Sequence, residues 1–458
     1  MLGLRLHGDG HGGLWFCGRK LGHEYNFGEE TMKAWLLKVS KAEPDELKAA
    51  LYSFAYFFCL IAAYYVMRPV RDEMAVQIGS QKLNELFVHV FLVMLVLVPL
   101  FGWLTRTFPR RQLLPWIYGF FALNLVGFWF AFQQTESLKL VARVFFVWVS
   151  VFNLFAVSVF WSFMADLFKS EQAKRLYGFI AAGGTAGALT GPSLTSTLVS
   201  YIGPKGLVLI SASFLVLVII CIVSLRRLGL QPGSEHLSSE DRALDGSIWS
   251  GLLDLFRSPY LLGVAFFLLL YAGLSTLLYF QQVELLPLAI PDSKERIRIL
   301  SLTDLAVNIL TLAIQVLAFG SLMKRAGIVI MLAALPVLSI FGFTAMALLP
   351  SLATLFAFGI VRRAGEYAVS KPARETLFNV LPAEQKYRAK NVIDTLVHRG
   401  GDTLSAQGFG ALKALGWTPL MFASLAASLS VLWSLLALFL GREARRKEQA
   451  QSQASSAT

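Results

Sequence analysis

Charge is scarce in this sequence. Of 458 residues only 15% are Asp, Glu, Lys or Arg, against 56% hydrophobic, and the mean hydropathy is +0.60. So apolar a balance excludes a soluble globular enzyme and leaves length for about a dozen membrane-crossing helices. Cysteine is nearly absent too. Cys17, Cys59 and Cys221 lie far apart and form no CxxC pair, which excludes a disulfide scaffold and predicts unpaired thiols. The first thirty residues lack the apolar core and small-residue cleavage site of a signal peptide. There His7, His11 and His23 leave open a metal site or, among the surrounding glycines, a disordered tail. Met32 opens a better-patterned helical segment and competes with Met1 as the start. Also missing are Gly-x-x-x-x-Gly-Lys-Ser/Thr, Gly-x-Ser-x-Gly and His-Glu-x-x-His, which argues against an enzyme or a primary pump. No cofactor and no metal is expected.

What the chain has is long apolar runs. Windows of roughly twenty apolar residues recur at 47–67, 86–104, 113–132, 140–164, 177–200, 206–225, 260–283, 302–323, 328–349, 352–369, 391–412 and 419–440. The predicted fold is an all-α polytopic membrane protein with about twelve transmembrane helices in two pseudo-symmetric six-helix bundles, 47–225 and 259–440. A tail and pre-membrane helix (1–46) precede them. A polar linker (226–258) joins them, and its end, from Ile248 to Arg257, has the helical apolar spacing of a segment lying on the membrane surface. The Ser/Ala/Gln-rich stretch 441–458 reads as a disordered tail.

The formal charge of +12 would suit nucleic acid, anionic lipid or an anionic substrate. Its distribution favours the last two. Arg106, Arg110 and Arg111, then Lys169, Lys174 and Arg175, then Arg226 and Arg227 occupy alternate loops. Lys324 and Arg325, then Lys386, Arg388 and Lys390, then the basic tail continue the parity, so both termini are expected in the cytoplasm. Membrane lipid is an expected partner, nucleic acid is not, and a protein partner is unknown. Arg68 and Arg71 after the first span, and Lys294, Arg296 and Arg298 after the seventh, break the rule and need another reason to be there.

The halves repeat weakly. Gly102-Trp103-Leu104-Thr105-Arg106 returns near Gly320-Ser321-Leu322-Met323-Lys324-Arg325, Leu167-Phe168 as Leu377-Phe378, and Gly183-Gly184 as Gly400-Gly401, at offsets of roughly 210 to 218 residues. Gly183-Gly184-Thr185-Ala186-Gly187-Ala188 itself reads as small-residue helix packing rather than a phosphate cradle.

Three charged clusters break the apolar runs. Tyr64, Arg68, Arg71 and Asp72 share a helix face, with Pro69 expected to end or bend that helix. Two guanidiniums there suit phosphate or carboxylate, with Asp72 and Glu73 as gate partners; a solvated charged cap fits the pattern equally. Tyr52, Tyr56 and Tyr64 recur on nearly one face, either to stack a base or to pack helices. Lys371, Arg374 and Glu375 form the second cluster, for a cavity or for snorkelling at the interface. The third puts Lys390, Asp394 and His398 at four-residue steps beside Arg399 and Asp402, and so many ionisable groups favour a cavity over lipid. Glu284 is a candidate charge-pair carboxylate, and Asp304 calls for a basic partner across the bundle.

Gly102 to Arg111 is similar to the loop signature of the major facilitator superfamily, with Thr105 where that signature carries an aspartate. Arg68-Pro69-Val70-Arg71-Asp72, Glu171-Gln172-Ala173-Lys174-Arg175-Leu176-Tyr177-Gly178 and Lys386-Tyr387-Arg388-Ala389-Lys390-Asn391-Val392-Ile393-Asp394, in that order, resemble the ATP:ADP antiporter (nucleotide transporter) family of bacteria and plastids. The resemblance covers about residues 47–440. It implies facilitator-type exchange of nucleoside triphosphate and diphosphate across a bacterial inner membrane. Arg71 matches a basic residue important for transport, Glu284 a seventh-span glutamate, and Arg399 approximately a basic residue of the eleventh span. Trp148-Val149-Ser150 supplies no acid where the exchangers carry a fourth-span glutamate, as in the divergent branch of free-living bacteria.

The sequence therefore predicts a secondary transporter of a nucleotide or another phosphorylated anion. Arg68, Arg71, Lys371, Arg374, Lys390 and Arg399 would supply the positive cavity, and Asp72, Glu73, Glu284, Glu375 and Asp394 the gating or charge-pair groups. Two alternatives stand beside it: a transporter of an unphosphorylated solute, and a non-transporting scaffold or receptor of the same fold.

Overall fold

A computed structural model describes residue 32 and residues 34–107, 110–134, 138–228 and 248–457. Cys17, His7, His11, His23 and the linker from Gln231 to Asp241 lie outside the described residues. Among the described residues every regular element is helical, and nine helices are long and apolar enough to cross a membrane. We label α1 Leu47–Ile78, α2 Ser80–Thr107, α3 Arg110–Ala131 and α4 Leu138–Leu167. The 58-residue run Ser170–Arg227 is two helices, α5 and α6, meeting at Gly203 with φ 64°. Helix α7 is Pro259–Ala289, and α8 runs from Ser293–Ile314 through a π turn, Gln315–Phe319, to a break at Gly327 with φ 69°, beyond which α9 continues to Leu348.

Helices α10 and α11 are the polar ones. Leu352–Gly365 continues through a π turn, Glu366–Ser370, into Lys371–Thr376, and Ala383–Val392 through a π turn, Ile393–Val397, into His398–Ala414. Their charges keep both out of the nine strongly apolar helices, so the double helix and these two complete twelve. Gly203 between α5 and α6 and Gly416 between α11 and α12 (Pro419–Ala457) both have positive φ and stand 213 residues apart, within the spacing of the sequence repeats. Both turns need the left-handed backbone that glycine adopts without penalty.

The apolar residues form two cores, one mainly from α1, α3, α4, α5 and α6 and one mainly from α7 to α12. Outward faces stay apolar and exposed, as at Trp116, Phe120, Phe130, Leu317, Phe341 and Phe439, which suits lipid rather than water as the solvent. Buried Tyr56 donates to the Tyr118 hydroxyl at 2.8 Å while Tyr52 faces outward, so the tyrosine stripe serves packing. Buried Cys59 and Cys221 are free thiols. The linker helix Ile248–Arg257 buries Leu255 and exposes Leu253 and Phe256, an amphipathic face that fits a membrane surface.

Two expectations require correction. Helix α1 does not end at Pro69 but runs on as a helix to Ile78, because one missing N–H is tolerated when the packed neighbours fix the rest. Nor is 441–457 irregular: α12 runs Pro419–Ala457, since Ala, Arg, Glu and Gln favour helix and the extension packs back. There Lys447 lies over the Tyr260 ring and Gln451 donates to the Val380 carbonyl at 3.1 Å.

Candidate functional site

The charged stretch of α1 is buried between the halves. A cavity of about 290 Å³ takes Arg68, Arg71 and Asp72 from α1, Phe87 and Phe91 from α2, and Phe146 and Ser150 from α4. From the other half come Tyr271, Ser275, Thr276 and Tyr279 of α7, Asp304 of α8, Arg362, Arg363 and Tyr367 of α10, and Arg399 and Asp402 of α11. Five arginines against three aspartates leave an excess of two positive charges. Such groups at mid-helix depth are costly unless they face polar space and one another, and here they do both.

Each aspartate holds arginine. Arg71 donates twice to Asp72, at 2.9 and 2.6 Å, and the Tyr279 hydroxyl donates to the same oxygen at 3.1 Å. Asp304 finds two partners: Arg363 at 2.6 Å from its own half, and Arg68 at 3.6 Å from across the interface. Asp402 faces Arg399 at 3.7 Å and His398 at 3.6 Å, and accepts from Thr276. Arg362 has no ion-pair partner among the described residues: it donates to the Ser275 hydroxyl at 3.0 Å and to the Tyr271 carbonyl at 3.4 Å and lies 5.3 Å from the Tyr271 ring centroid. Opposite these stands an aromatic wall: Arg71 lies over Phe146 at 5.4 Å, and Phe87 neighbours Phe146 and Tyr279.

A second layer of contacts ties the halves beyond the cavity, away from the basic loops. Glu73 accepts bidentately from Arg296 at 2.7 and 2.6 Å, and from Ser293 at 2.8 Å, with both charged side chains buried. Lys413 bridges Glu284 at 2.8 Å to Ser80 at 2.9 Å, and Asn84 pairs with Gln407. Lys294 donates to the Ser200 carbonyl, and Arg298 pairs with Glu295 on the surface. Of the positive charge that the loop rule leaves unexplained, Arg68, Lys294 and Arg296 thus reach across to the other half, whereas Arg71 and Arg298 pair within their own helices.

Of the sequence candidates, Arg68, Arg71, Asp72 and Arg399 line the cavity, and Glu73 and Glu284 belong to this second layer. Lys371, Arg374, Lys390, Glu375 and Asp394 sit elsewhere. Arg374 pairs with buried Glu366 at 3.3 Å, Lys390 pairs with Glu375 at 2.7 Å, Lys371 is exposed, and Asp394 lies within electrostatic reach of all four cluster charges. Lys371, Arg374 and Glu375 lie two turns or more beyond Arg363 on α10, and Lys390 and Asp394 precede Arg399 on α11, so all five sit nearer the α10–α11 loop than the cavity does, while the π turn Ile393–Val397 widens the step between Lys390 and His398. Sequence reasoning missed Arg362 and Arg363. Their signal was two consecutive arginines inside the apolar run Phe358-Gly359-Ile360-Val361, where ionisable groups are functional candidates by default.

Two six-helix halves around a charged cavity at mid-depth, clasped at one end, define a membrane transporter. The chain belongs to the Major Facilitator Superfamily, whose family model matches residues 50–365. It is similar to ADP,ATP carrier protein 1 of Chlamydia muridarum (strain MoPn / Nigg), with 23% identity over 491 aligned positions covering 90% of this chain and 92% of the carrier. Among solved structures, an autoinhibited POT family peptide transporter aligns with a TM-score of 0.60 at 15% identity, over 87% of this chain and 96% of that one. The POT family transporter PepTSo gives 0.62 at 12% identity, over 87% and 98%. A D-xylose-proton symporter gives 0.59 at 13%, over 85% and 96%. At these identities the solved structures establish the fold.

Proposed function

We propose that this transporter exchanges nucleotides, or another phosphorylated anion, by alternating access across a bacterial inner membrane with both termini in the cytoplasm. One observation carries the reading: the interface cavity presents arginines from both halves, in excess over its carboxylates, beside an aromatic wall. Guanidinium forks suit phosphoryl oxygens, and aromatic rings suit a flat base, so one cavity meets both ends of a nucleotide. The likeness to the Chlamydia carrier and the alternating basic loops support the same substrate and orientation. Arg71 and Arg68 serve as phosphate contacts from α1 and Arg399 from α11, while Glu73–Arg296 and Lys413–Glu284 act as the gate at the non-cytoplasmic end.

Counterflow tests the reading. Proteoliposomes loaded with ADP are expected to accumulate labelled ATP, and failure with every nucleotide and phosphorylated solute in a panel would remove it. Arg71→Ala is expected to lose uptake at least tenfold with folded protein retained, because a charge-assisted bidentate contact is lost; full uptake by that variant removes Arg71 from the site.

A further inference from the structure

The cavity arginines differ in how their charge is met. Arg71 has Asp72, Arg68 and Arg363 share Asp304, and Arg399 faces Asp402. Arg362 is 2% exposed, has no carboxylate at ion-pair distance among the described residues, and its Nε–H lacks a hydrogen-bond partner. The Nε–H groups of Arg68 and Arg363 are buried without partners as well. Glu366, one turn on, acts on Arg362 only from beyond ion-pair distance and is itself paired with Arg374. Burying a guanidinium without a directly paired counter-charge is costly, and hydroxyl, carbonyl and ring contacts offset only part of that cost. The remainder is met when a mobile anion enters. Gly359, one turn before Arg363, leaves the wall open there: a Cβ at that position would find only Leu278, at 3.9 Å.

We propose that Arg362 and Arg363 form the anion subsite of the cavity, built for a phosphoryl group of more than one negative charge, and that Asp304 is the internal counter-ion such a group displaces. This rests on reading the cavity as a phosphorylated-anion site. The excess of two arginines over aspartates matches a dianion rather than a single carboxylate. A tetrahedral oxyanion presents enough acceptors for several guanidinium forks, whereas the one Asp304 oxygen serving both Arg68 and Arg363 is shared. Arg68 belongs to α1 and Asp304 to α8, so this shared pair is a bridge between the halves. An anion taking over Arg68 and Arg363 becomes that bridge itself. Occupancy then decides what links the halves at the centre, while Asp304 keeps the arginines apart in the empty carrier.

The test uses the full chain purified in detergent, with pyrophosphate, inorganic phosphate, ADP and ATP as probes and adenosine as the uncharged control. Affinity is read by calorimetry and stability by melting temperature. Arg362→Met is expected to weaken pyrophosphate and ADP by about tenfold or more, while the empty protein melts no lower than wild type because a costly buried charge has gone. Arg362→Lys should recover part of the affinity, and adenosine should respond to neither change. Asp304→Asn, which keeps the shape and removes the competitor, is expected to tighten pyrophosphate severalfold. Affinity within twofold of wild type in Arg362→Met overturns the subsite, and so does a loss accompanied by a lower melting temperature of the empty protein. If Arg362→Met aggregates, Asp304→Asn decides: tighter binding supports the proposal and unchanged affinity overturns it. Nucleotide counterflow undiminished in Arg362→Met removes the subsite and leaves the exchange reading intact. Pyrophosphate binding without any nucleotide binding supports the subsite and removes the nucleotide, and a wild-type protein that binds no phosphate probe removes both.

Discussion

In the first half, α5 lays Gly183, Gly184, Gly187 and Gly191 against α1, so close that a Cβ at Gly183 would stand 2.5 Å from the Phe54 carbonyl oxygen. In the second half, the matching stretch of α11 carries Gly400 and Gly401, yet Gly400 has open space around it and a Cβ at Gly401 would meet the Ala272 and Leu269 side chains at 3.2 Å and the Leu269 backbone no nearer than 3.7 Å. Around this looser seam stand Asp394, His398, Arg399 and Asp402, and two π turns interrupt α10 and α11. One repeat has therefore been used in two ways. The first half locks helices backbone to backbone, and Tyr56, Phe57 and Phe160 fill the space behind the seam. At the matching seam the second gives up close packing and holds ion pairs, the parts able to exchange partners.

The sharpest way to break this contrast is to put side chains into both seams. Gly187→Leu drives atoms into the Phe58 carbonyl and the Ala62 backbone, where nothing flexible yields, and is expected to cost about 3 kcal/mol or more, abolishing stable protein. Gly400→Ala meets no atom within 4 Å and replaces a poor helix former, so a gain of up to about 1 kcal/mol is expected. Melting temperatures in detergent decide. Equal losses at the two positions would show that the halves pack alike.

These features differ in how far the residues announce them. Twelve spans, the linker helix and the repeat were readable because hydropathy and small-residue patterns are local. The bond between Asp304 and Arg363 was not, since it joins residues far apart in the chain, although Asp304 called for a basic partner. Lys371 and Arg374 interrupt an apolar run as cavity groups would, and Lys390 keeps four-residue spacing with Asp394, but all three lie nearer the α10–α11 loop than the cavity, and no local pattern announces the π turns that shift the helix faces there. Arg68 and Arg71 were read as the edge of a helix, when the helix simply continues past Pro69.

Where the halves meet, the contrast turns on a pair that needs both. Glu73 is fully buried and its counter-charge comes from Arg296 of the other half, whose Nη1 also donates to the Ile290 and Pro291 carbonyls. Arg296→Ala strands a buried carboxylate and is expected to cost about 3–5 kcal/mol. Adding Glu73→Gln to that variant should recover a large part of the loss. Arg298→Ala, two residues on and half-exposed in its pair with Glu295, should change stability by less than about 0.5 kcal/mol. A double-variant cycle in melting temperature measures the coupling, and additive effects would remove the pair as the link between the halves.

The smallest expected effect concerns how each half anchors its first helix. Helix α1 begins at Glu46, which accepts from the Gln172 amide at 2.8 Å and Arg175 at 3.0 Å at the start of α5, so the Glu171–Gly178 motif has a structural task. The matching start of α7 is capped by Ser258, whose hydroxyl accepts from the Leu261 N–H. Burial alone would raise the Glu46 carboxyl's pKa, but the Glu43 N–H, Gln172 and Arg175 outweigh it and hold the group below the ordinary glutamate value of 4.5. A depressed folded value means a stabilising contribution present above pH 4.5 and lost as pH falls through the folded value. Because Arg175 is about a third exposed, about 0.5–1 kcal/mol is expected. The melting-temperature difference between wild type and Glu46→Gln should therefore be constant at neutral pH and shrink toward zero below pH 4.5. Ser258→Ala should show a difference that acid leaves unchanged, since a hydroxyl cap does not titrate. A Glu46 contribution that persists unaltered into acid would mean that its hydrogen bonds, rather than its charge, anchor the first half.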